Sequence, residues 1–143
     1  MKESVRRFIL NILENEFGHK NIERPDLYNI SSVYQKENGN FWLAFDGDKL
    51  VGTIGLESYT GGRGYIRRMY VDSAYRGKGV AQELLFTLVE FARLNGFTKL
   101  YLATTDDMVA AQKFYIKEGF KQIKALPQDL PNSGDTIFYK MDL

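Results

Sequence analysis

The sequence predicts a single α/β domain built on a sheet that contains both parallel and antiparallel strands. A predicted strand, a glycine-containing loop, a long helix and a second strand follow one another between residues 64 and 104, and this order requires a parallel, right-handed crossover. Two strands precede that unit and are joined by the tight turn Asp46-Gly47-Asp48, which favours an antiparallel hairpin. With 143 residues and no repeat, linker or low-complexity tract, residues 1–143 are expected to form one domain.

Two helices are predicted before the sheet. Residues 2–17 carry apolar side chains at the spacing of one buried helical stripe, and Gly18 ends the pattern. The stripe consists of Val5, Phe8, Ile9, Ile12 and Leu13. A second helix is predicted over residues 26–36, where Pro25 stands just before the first turn and Asn38-Gly39 ends the segment.

The antiparallel part of the predicted sheet begins with the aromatic strand 41–45. It continues with strand 49–59, in which Leu50, Ile54 and Leu56 roughly alternate with other residues. Residues 60–64 then turn the chain into a central strand, 65–71, which is rich in aromatic and β-branched residues.

The loop after the central strand, Tyr75-Arg76-Gly77-Lys78-Gly79, places two cations and two glycines immediately before a helix. Apolar residues at 81, 84, 85, 88 and 92 give that helix one buried stripe, and Gly96 ends it. Free N–H groups and the positive end of the helix dipole favour an anion at such a helix start, and glycines let the backbone approach it closely. The loop is therefore predicted to bind phosphate; the alternative is an ordinary solvated basic loop.

Two well-known phosphate-binding loops do not match this segment. A Walker A loop needs Ser or Thr after Gly-Lys, whereas Gly79 follows Gly77-Lys78. A dinucleotide-binding fingerprint needs a third glycine at the position of Gln82. The sequence thus disfavours a P-loop nucleotidase and a Rossmann-type dehydrogenase.

The C-terminal part of the chain is predicted to complete the sheet. Residues 98–104 form a strand, and residues 107–117 form a helix that Gly119 ends. Two closing strands, 120–125 and 136–141, are joined by a loop that contains proline.

Composition excludes several classes of function. The net charge of +1 favours no nucleic-acid partner, although five cations between Arg63 and Lys78 suit a single long anionic ligand. Without cysteine, and with His19 as the one histidine, no thiol nucleophile and no metal site are expected. No apolar run approaches the roughly 18 residues of a membrane span, and no signal-peptide pattern opens the chain, so a cytoplasmic protein without membrane contact is expected.

Two segments resemble the GNAT superfamily of acyl-CoA-dependent N-acyltransferases. Arg76-Gly77-Lys78-Gly79-Val80-Ala81 matches the pattern Gln/Arg-x-x-Gly-x-Gly/Ala of that family's pyrophosphate loop. Ala111-x-x-Phe114-Tyr115-x-x-x-Gly119-Phe120 is similar to the helix end that forms its second hallmark. The resemblance implies the GNAT fold, a three-layer domain with a mixed, mostly antiparallel sheet and about four helices. It also implies an N-acetyltransferase that uses acetyl-CoA and a primary amine on a small molecule or a protein.

The same resemblance implies where acetyl-CoA binds. It would lie in a gap between the central strand and strand 98–104, with backbone groups of Met69, Tyr70 and Val71 along the pantetheine arm. Backbone N–H groups of the loop would hold the pyrophosphate; these belong to Arg76, Gly77, Lys78, Gly79, Val80 and Ala81.

Two residues are expected to take part in the chemistry. Tyr115 occupies the family's tyrosine position and would protonate the leaving thiolate, since a phenol of pKa near 10 is protonated at neutral pH; a purely structural core tyrosine is the alternative. Glu57 has the opposite strand parity to Leu56 and is a candidate base, although a solvated glutamate is an equally good interpretation. Water could carry the proton instead, and Asp72 could cap the loop.

The sequence departs from the family pattern in two places. The predicted first helix starts almost at Met1, so we expect that this chain either lacks the strand that usually precedes it or fills that edge of the sheet in a different way. Met108 stands where the family commonly has asparagine, with Asp106 or Asp107 as possible replacement caps. A non-catalytic acyl-CoA-binding module is the alternative function, and a homodimer through an edge strand or the C-terminal hairpin is a further hypothesis.

Overall fold

The computed structural model describes residues 2–16, 34, 39–106, 108–131 and 134–143, which form three helices and one six-stranded sheet. The helices are α1 (Lys2–Glu16), α2 (Val80–Leu94) and α3 (Val109–Lys117). The strands are β1 (Asn40–Asp46), β2 (Lys49–Tyr59), β3 (Arg63–Val71), β4 (Lys99–Thr104), β5 (Lys121–Ile123) and β6 (Ile137–Asp142). The predicted helix 26–36 lies outside the described residues except for Tyr34, which is helical and buried.

The predicted mixed, mostly antiparallel sheet is confirmed. Its strand order is β1-β2-β3-β4-β6-β5, and among the described strands only the pairing of β3 with β4 is parallel. That pairing closes the crossover through α2 that the sequence predicts. Within the described residues no strand precedes α1.

Helices cover both faces of the sheet, which gives the three layers that the resemblance implies. Successive side chains of β1 point to opposite faces of the sheet. Trp42 and Ala44 pack on the face covered by α2, whereas Phe41 and Leu43 pack with α1 on the other face. The main core lies on the α2 side, where α2 buries a stripe against β1, β2 and β3. This stripe consists of Leu84, Leu85, Leu88, Val89 and Ala92.

Three elements have a boundary that differs from the sequence prediction by two residues, and the other differences are of one residue. β5 spans only Lys121–Ile123 instead of 120–125, since Phe120 is buried in the core and the chain bends at Lys124, directly after Ile123. β3 begins two residues earlier than predicted, at Arg63, because Arg63 already pairs with Lys99 of β4. α3 begins at Val109 instead of 107, with Met108 in the N-cap position.

Candidate active site

The candidate site lies where β3 and β4 separate. The parallel ladder joins Arg63 to Lys99 and ends at the pair Ile66 and Leu102, yet β3 continues to Val71 along β2. β4 meanwhile continues to pair with β6 as far as Thr104. The two strands therefore diverge after sharing a short ladder, which produces the gap that the sequence analysis expects.

The loop after β3 is folded by its own polar groups. Asp72 accepts a hydrogen bond from the backbone N–H of Ala74 at 2.9 Å and caps the short 3-10 turn Ser73–Tyr75, so it caps the loop as the sequence analysis considered. Arg76 Nε donates to the carbonyl oxygen of Val71 at 3.0 Å. These two bonds fix the start of the loop against the end of β3.

Two glycines complete the turn into α2. Gly77 and Gly79 have φ values of 75° and 85°, a left-handed conformation that other residues rarely adopt. Gly79 is the N-cap of α2 and has no side chain with which to cap it. A Cβ placed on either glycine would meet nothing within 4 Å. The backbone at this helix start is therefore open to an incoming ligand.

A cavity of about 410 Å³ lies in front of this loop, between the end of β3 and α3, and no residue of β4 lines it. Seven of the nine residues predicted to bind the cofactor line it: Met69, Tyr70, Val71, Arg76, Gly77, Gly79 and Ala81. The Lys78 ammonium lies 5.7 Å from the centroid of the Tyr75 ring, and Val80 packs against the main core. The side chains of these last two residues do not line the cavity.

The opposite wall comes from α3 and was not assigned to the cofactor by the sequence analysis. It consists of Met108, Ala110, Ala111, Phe114, Lys117 and Glu118. Positions 110, 111, 114, 117 and 118 share one helical face, and the two alanines leave room beside it. This spacing is visible in the sequence, and it could have identified the helical face that forms the wall.

The α3 start corrects one expectation. Asp106, one of the two candidate replacement caps, accepts from the Thr136 hydroxyl at 3.5 Å, whereas Asp107, the other candidate, lies outside the described residues. The N-cap position of α3 falls on Met108, two residues beyond Asp106, and the Met108 side chain makes no capping hydrogen bond. The Met108 sulfur instead accepts from the Thr104 hydroxyl at 3.3 Å, at the end of β4.

The residues present fit the phosphate and pantetheine parts of an acyl-CoA. Backbone groups at the start of α2 and the cation of Arg76 suit a pyrophosphate. The end of β3 suits an extended amide-bearing arm, which can add to a strand edge. Among the described residues, no cluster of three or more His, Asp or Glu is arranged to hold a metal ion.

Tyr115 lies on α3 behind the cavity. Its ring is 7% exposed and packs against Phe114, Phe120 and Tyr139, with ring centroids 5.9, 5.9 and 5.6 Å away. Burial raises the pKa of its phenol above the usual value, and the nearby hydroxyl of Tyr70 contributes. Tyr70 itself lines the cavity, so Tyr115 belongs to the core next to the site and carries its proton at neutral pH.

Glu57 lies on β2, outside the cavity lining. Its Oε1 accepts from Arg67 Nη1 at 3.0 Å, and the two side chains are 15% and 19% exposed. Arg67 directly follows Ile66, the last residue of β3 that pairs with β4. The ion pair therefore lies at the point where the strands begin to separate. Burial raises the pKa of neighbouring Tyr59 to about 12, and the charge of Glu57 adds to the effect.

Comparison with known proteins identifies the fold. Residues 6–120 match the model of the acetyltransferase (GNAT) family. The chain is 36% identical to a GNAT-family acetyltransferase from Staphylococcus aureus Mu50, with a TM-score of 0.94 over 99% of this chain and 92% of that one. It shares the fold, with a TM-score of 0.68 and 19% identity over 96% and 79% of the two chains, with the PaiA N-acetyltransferase from Thermoplasma acidophilum, which was crystallised with coenzyme A.

A curated relative adds a sequence match. The chain is 38% identical over 120 residues to the N-acetylaspartate synthetase of Xenopus tropicalis. This alignment covers 82% of the chain but 42% of the relative, so the chain spans less than half of that protein's length. Because the family model matches most of the chain and the sheet, crossover and loop follow the same fold, the protein belongs to the GNAT family of acetyltransferases.

Proposed function

We propose that the protein transfers the acetyl group of acetyl-CoA to a primary amine on a small molecule or a protein. The observation that carries this proposal is the cavity between the end of β3 and α3, which opens onto the glycine loop at the start of α2. Family membership supports it, as does the N-acetyltransferase activity named for the relatives. Acetyl-CoA is the co-substrate, and the proposal requires no metal.

The backbone binds most of the co-substrate in this proposal. Main-chain groups of Met69, Tyr70 and Val71 hold the pantetheine arm, and N–H groups from Arg76 to Ala81 hold the pyrophosphate. Lys78 and Val80 take part through their backbone, so their role does not need side chains that line the cavity. Arg76 adds a positive charge beside the phosphates.

Two side chains act on protons during direct attack. The amine nitrogen forms a bond to the thioester carbonyl carbon, and the carbon–sulfur bond breaks as the thiolate leaves. Tyr115 donates its phenolic proton to that thiolate and recovers a proton from solvent. Glu57, whose pair with Arg67 lies where β3 and β4 separate, accepts the proton that the amine loses.

The acceptor is the least defined part of the proposal. Similarity to N-acetylaspartate synthetase makes aspartate the first amine to test, followed by other amino acids, polyamines and peptide N-termini. Nucleic acid and membranes are not partners in this proposal. Among the described residues, no helix is long and apolar enough to cross a membrane.

A homodimer through β5 is also proposed. Within the described part of the sheet, β5 pairs with β6 on one side and forms an edge on the other. An edge strand presents backbone groups that another chain can pair with. Light scattering that gives the mass of two chains would support this dimer, and the mass of one chain at micromolar concentration would contradict it.

The activity is tested by measuring thiol release from acetyl-CoA with each amine present. We expect release that depends on one class of amine, together with a mass increase of one acetyl group on that amine. Tyr115→Phe serves as the matched variant with reduced turnover. Tight binding of acetyl-CoA without thiol release for any amine would contradict the proposal and favour the non-catalytic binding module.

A further inference from the structure

A β-bulge on β3 lies just beyond the point where β3 leaves β4. Gly55 of β2 pairs with Arg67, and Thr53 pairs with Tyr70, so one residue of β2 faces two residues of β3. The first of those two, Arg68, has a φ of 57° and is the one non-glycine residue with positive φ in the described part of the chain. A bulge of this kind bends the strand that carries it.

A buried hydroxyl holds this conformation. Thr53 is 0% exposed, and its Oγ1 donates a hydrogen bond of 2.7 Å to the carbonyl oxygen of Arg68. A bulge disrupts the regular hydrogen bonds between the strand backbones, and here the Thr53 hydroxyl supplies a donor for the Arg68 carbonyl oxygen. The orientation of that carbonyl depends on the unusual φ of Arg68. The left-handed conformation is unfavourable for arginine and persists only where surrounding contacts fix it.

We propose that Thr53 is a positioning residue for co-substrate binding, acting through the Arg68 carbonyl on the backbone of Met69 to Val71. The effect on co-substrate binding rests on the proposed function, in which those backbone groups hold the pantetheine arm. Thr53 itself does not line the cavity. Its bond fixes the direction in which β3 continues after the bulge, and that direction sets where the Met69 and Val71 amides face the gap.

Thr53→Val tests this role, because valine keeps the shape of threonine and removes the hydroxyl. Thr53→Ser keeps the hydroxyl and removes the methyl group. Thr87→Val is the matched control for hydroxyl loss, since the Thr87 hydroxyl donates to the Glu83 carbonyl within α2, at an exposed position. Two quantities are measured for each variant: the dissociation constant for coenzyme A, and hydrogen exchange of the backbone amides at 69–71.

We expect Thr53→Val to weaken coenzyme A binding roughly three- to tenfold, the effect of one lost hydrogen bond, with faster exchange at residues 69–71. Thr53→Ser should bind like the wild type, and Thr87→Val should leave both quantities unchanged. With saturating acetyl-CoA, Thr53→Val should retain most of its kcat while its KM for acetyl-CoA rises. A purely structural loss would instead lower the melting temperature without this separation of KM from kcat.

A second substitution, Arg68→Gly, tests whether the effect of Thr53→Val on coenzyme A binding depends on the bulge. Glycine adopts positive φ without the penalty that arginine carries, so in an Arg68→Gly background the bulge depends less on the Thr53 bond. Thr53→Val should then weaken coenzyme A binding less than it does beside Arg68, a coupling that a double-mutant cycle measures. Equal effects in the two backgrounds would overturn the proposal.

Failure of this inference can be told apart from failure of the proposed function. Wild-type binding of coenzyme A without acetyl transfer would refute the function, and the comparison of the Thr53 variants would remain valid. If coenzyme A does not bind, the hydrogen-exchange rates of the amides at residues 69–71 in Thr53→Val and wild type still show whether Thr53 fixes the bulge. Unchanged exchange and unchanged affinity in Thr53→Val would overturn the inference.

Discussion

The side chain of Arg76 is bonded to the strand that precedes it: its Nε donates to the Val71 carbonyl oxygen at 3.0 Å. The residue expected to contact pyrophosphate is therefore also the residue that joins the loop to the end of β3. Both Arg76 and Val71 line the cavity, so this bond links the two proposed halves of the co-substrate site.

Arg76→Ala should weaken acetyl-CoA binding by about 1.5–3 kcal/mol, the contribution of a charge-assisted hydrogen bond. Arg76→Lys should recover part of that loss, since lysine keeps the charge but lacks the planar guanidinium. Calorimetric titration measures both. Arg93→Ala is the control, because Arg93 lies at the other end of α2 and pairs with Glu90. Wild-type affinity in Arg76→Ala would contradict the role.

The two ends of α2 offer a matched pair of glycine substitutions. Gly79 and Gly96 both have positive φ, 85° and 81°, and a Cβ on either would meet nothing within 4 Å. Gly79→Ala and Gly96→Ala should each lower the free energy of unfolding by about 1–2 kcal/mol through the backbone alone. Only Gly79→Ala should also weaken acetyl-CoA binding. Equal affinities in the two variants would show that the loop backbone does not contact the ligand.

Tyr115→Phe should lower kcat roughly 100-fold or more while leaving acetyl-CoA affinity nearly unchanged, as expected for loss of a general acid. Tyr139→Phe removes the hydroxyl of a neighbouring buried tyrosine whose ring centroid is 5.6 Å away, and it should keep normal turnover. Steady-state kinetics together with thermal unfolding compare the pair. A large loss of stability in Tyr115→Phe, with kcat preserved, would make Tyr115 structural.

The ion pair of Arg63 and Asp129 predicts a dependence of stability on acid pH. Both Nη atoms of Arg63 donate to the Asp129 carboxylate, at 2.8 and 2.5 Å, and these bonds hold the pKa of Asp129 below its usual value of 3.8. Because the pKa is lower in the folded state, the stabilisation is present above pH 3.8 and is lost as the pH falls through the folded pKa.

Acid unfolding monitored by circular dichroism tests this dependence. Asp129→Asn should show a shallower fall in stability below pH 3.8 than the wild type. Arg63→Gln should show the same shallower fall, because Asp129 then loses the partner that lowers its pKa. A wild-type slope in both variants would mean that the pair does not stabilise the folded state.

Local sequence patterns predicted much of the fold and part of the site. Strand 49–59 and the helix after the glycine loop were predicted closely, because their apolar spacing, flanking turns and Gly96 are all local signals. The bulge at Arg68 and the bond from Thr53 were not predicted. They depend on the register between β2 and β3, which no short stretch of sequence encodes.

The α3 wall shows a different limit. The spacing of Ala110, Ala111 and Phe114 already places these residues on one helical face, but in the sequence prediction that helix contributed only Tyr115 to the site. The start of α3 was placed two residues too early, since two aspartates resemble a helix cap while the cap position falls on Met108. Which residues of a helix face a cavity becomes clear only when the opposite strand is in place.

The most direct test of the central claim, an acyl-CoA site between β3, the glycine loop and α3, is thermal unfolding with acetyl-CoA, coenzyme A, ATP or NAD added separately. A ligand at one hundred times its dissociation constant stabilises the folded state by about 2.7 kcal/mol, a clear upward shift of the melting temperature. We predict this shift with acetyl-CoA and coenzyme A alone. No shift with either CoA species, or a shift with ATP or NAD instead, would contradict the claim.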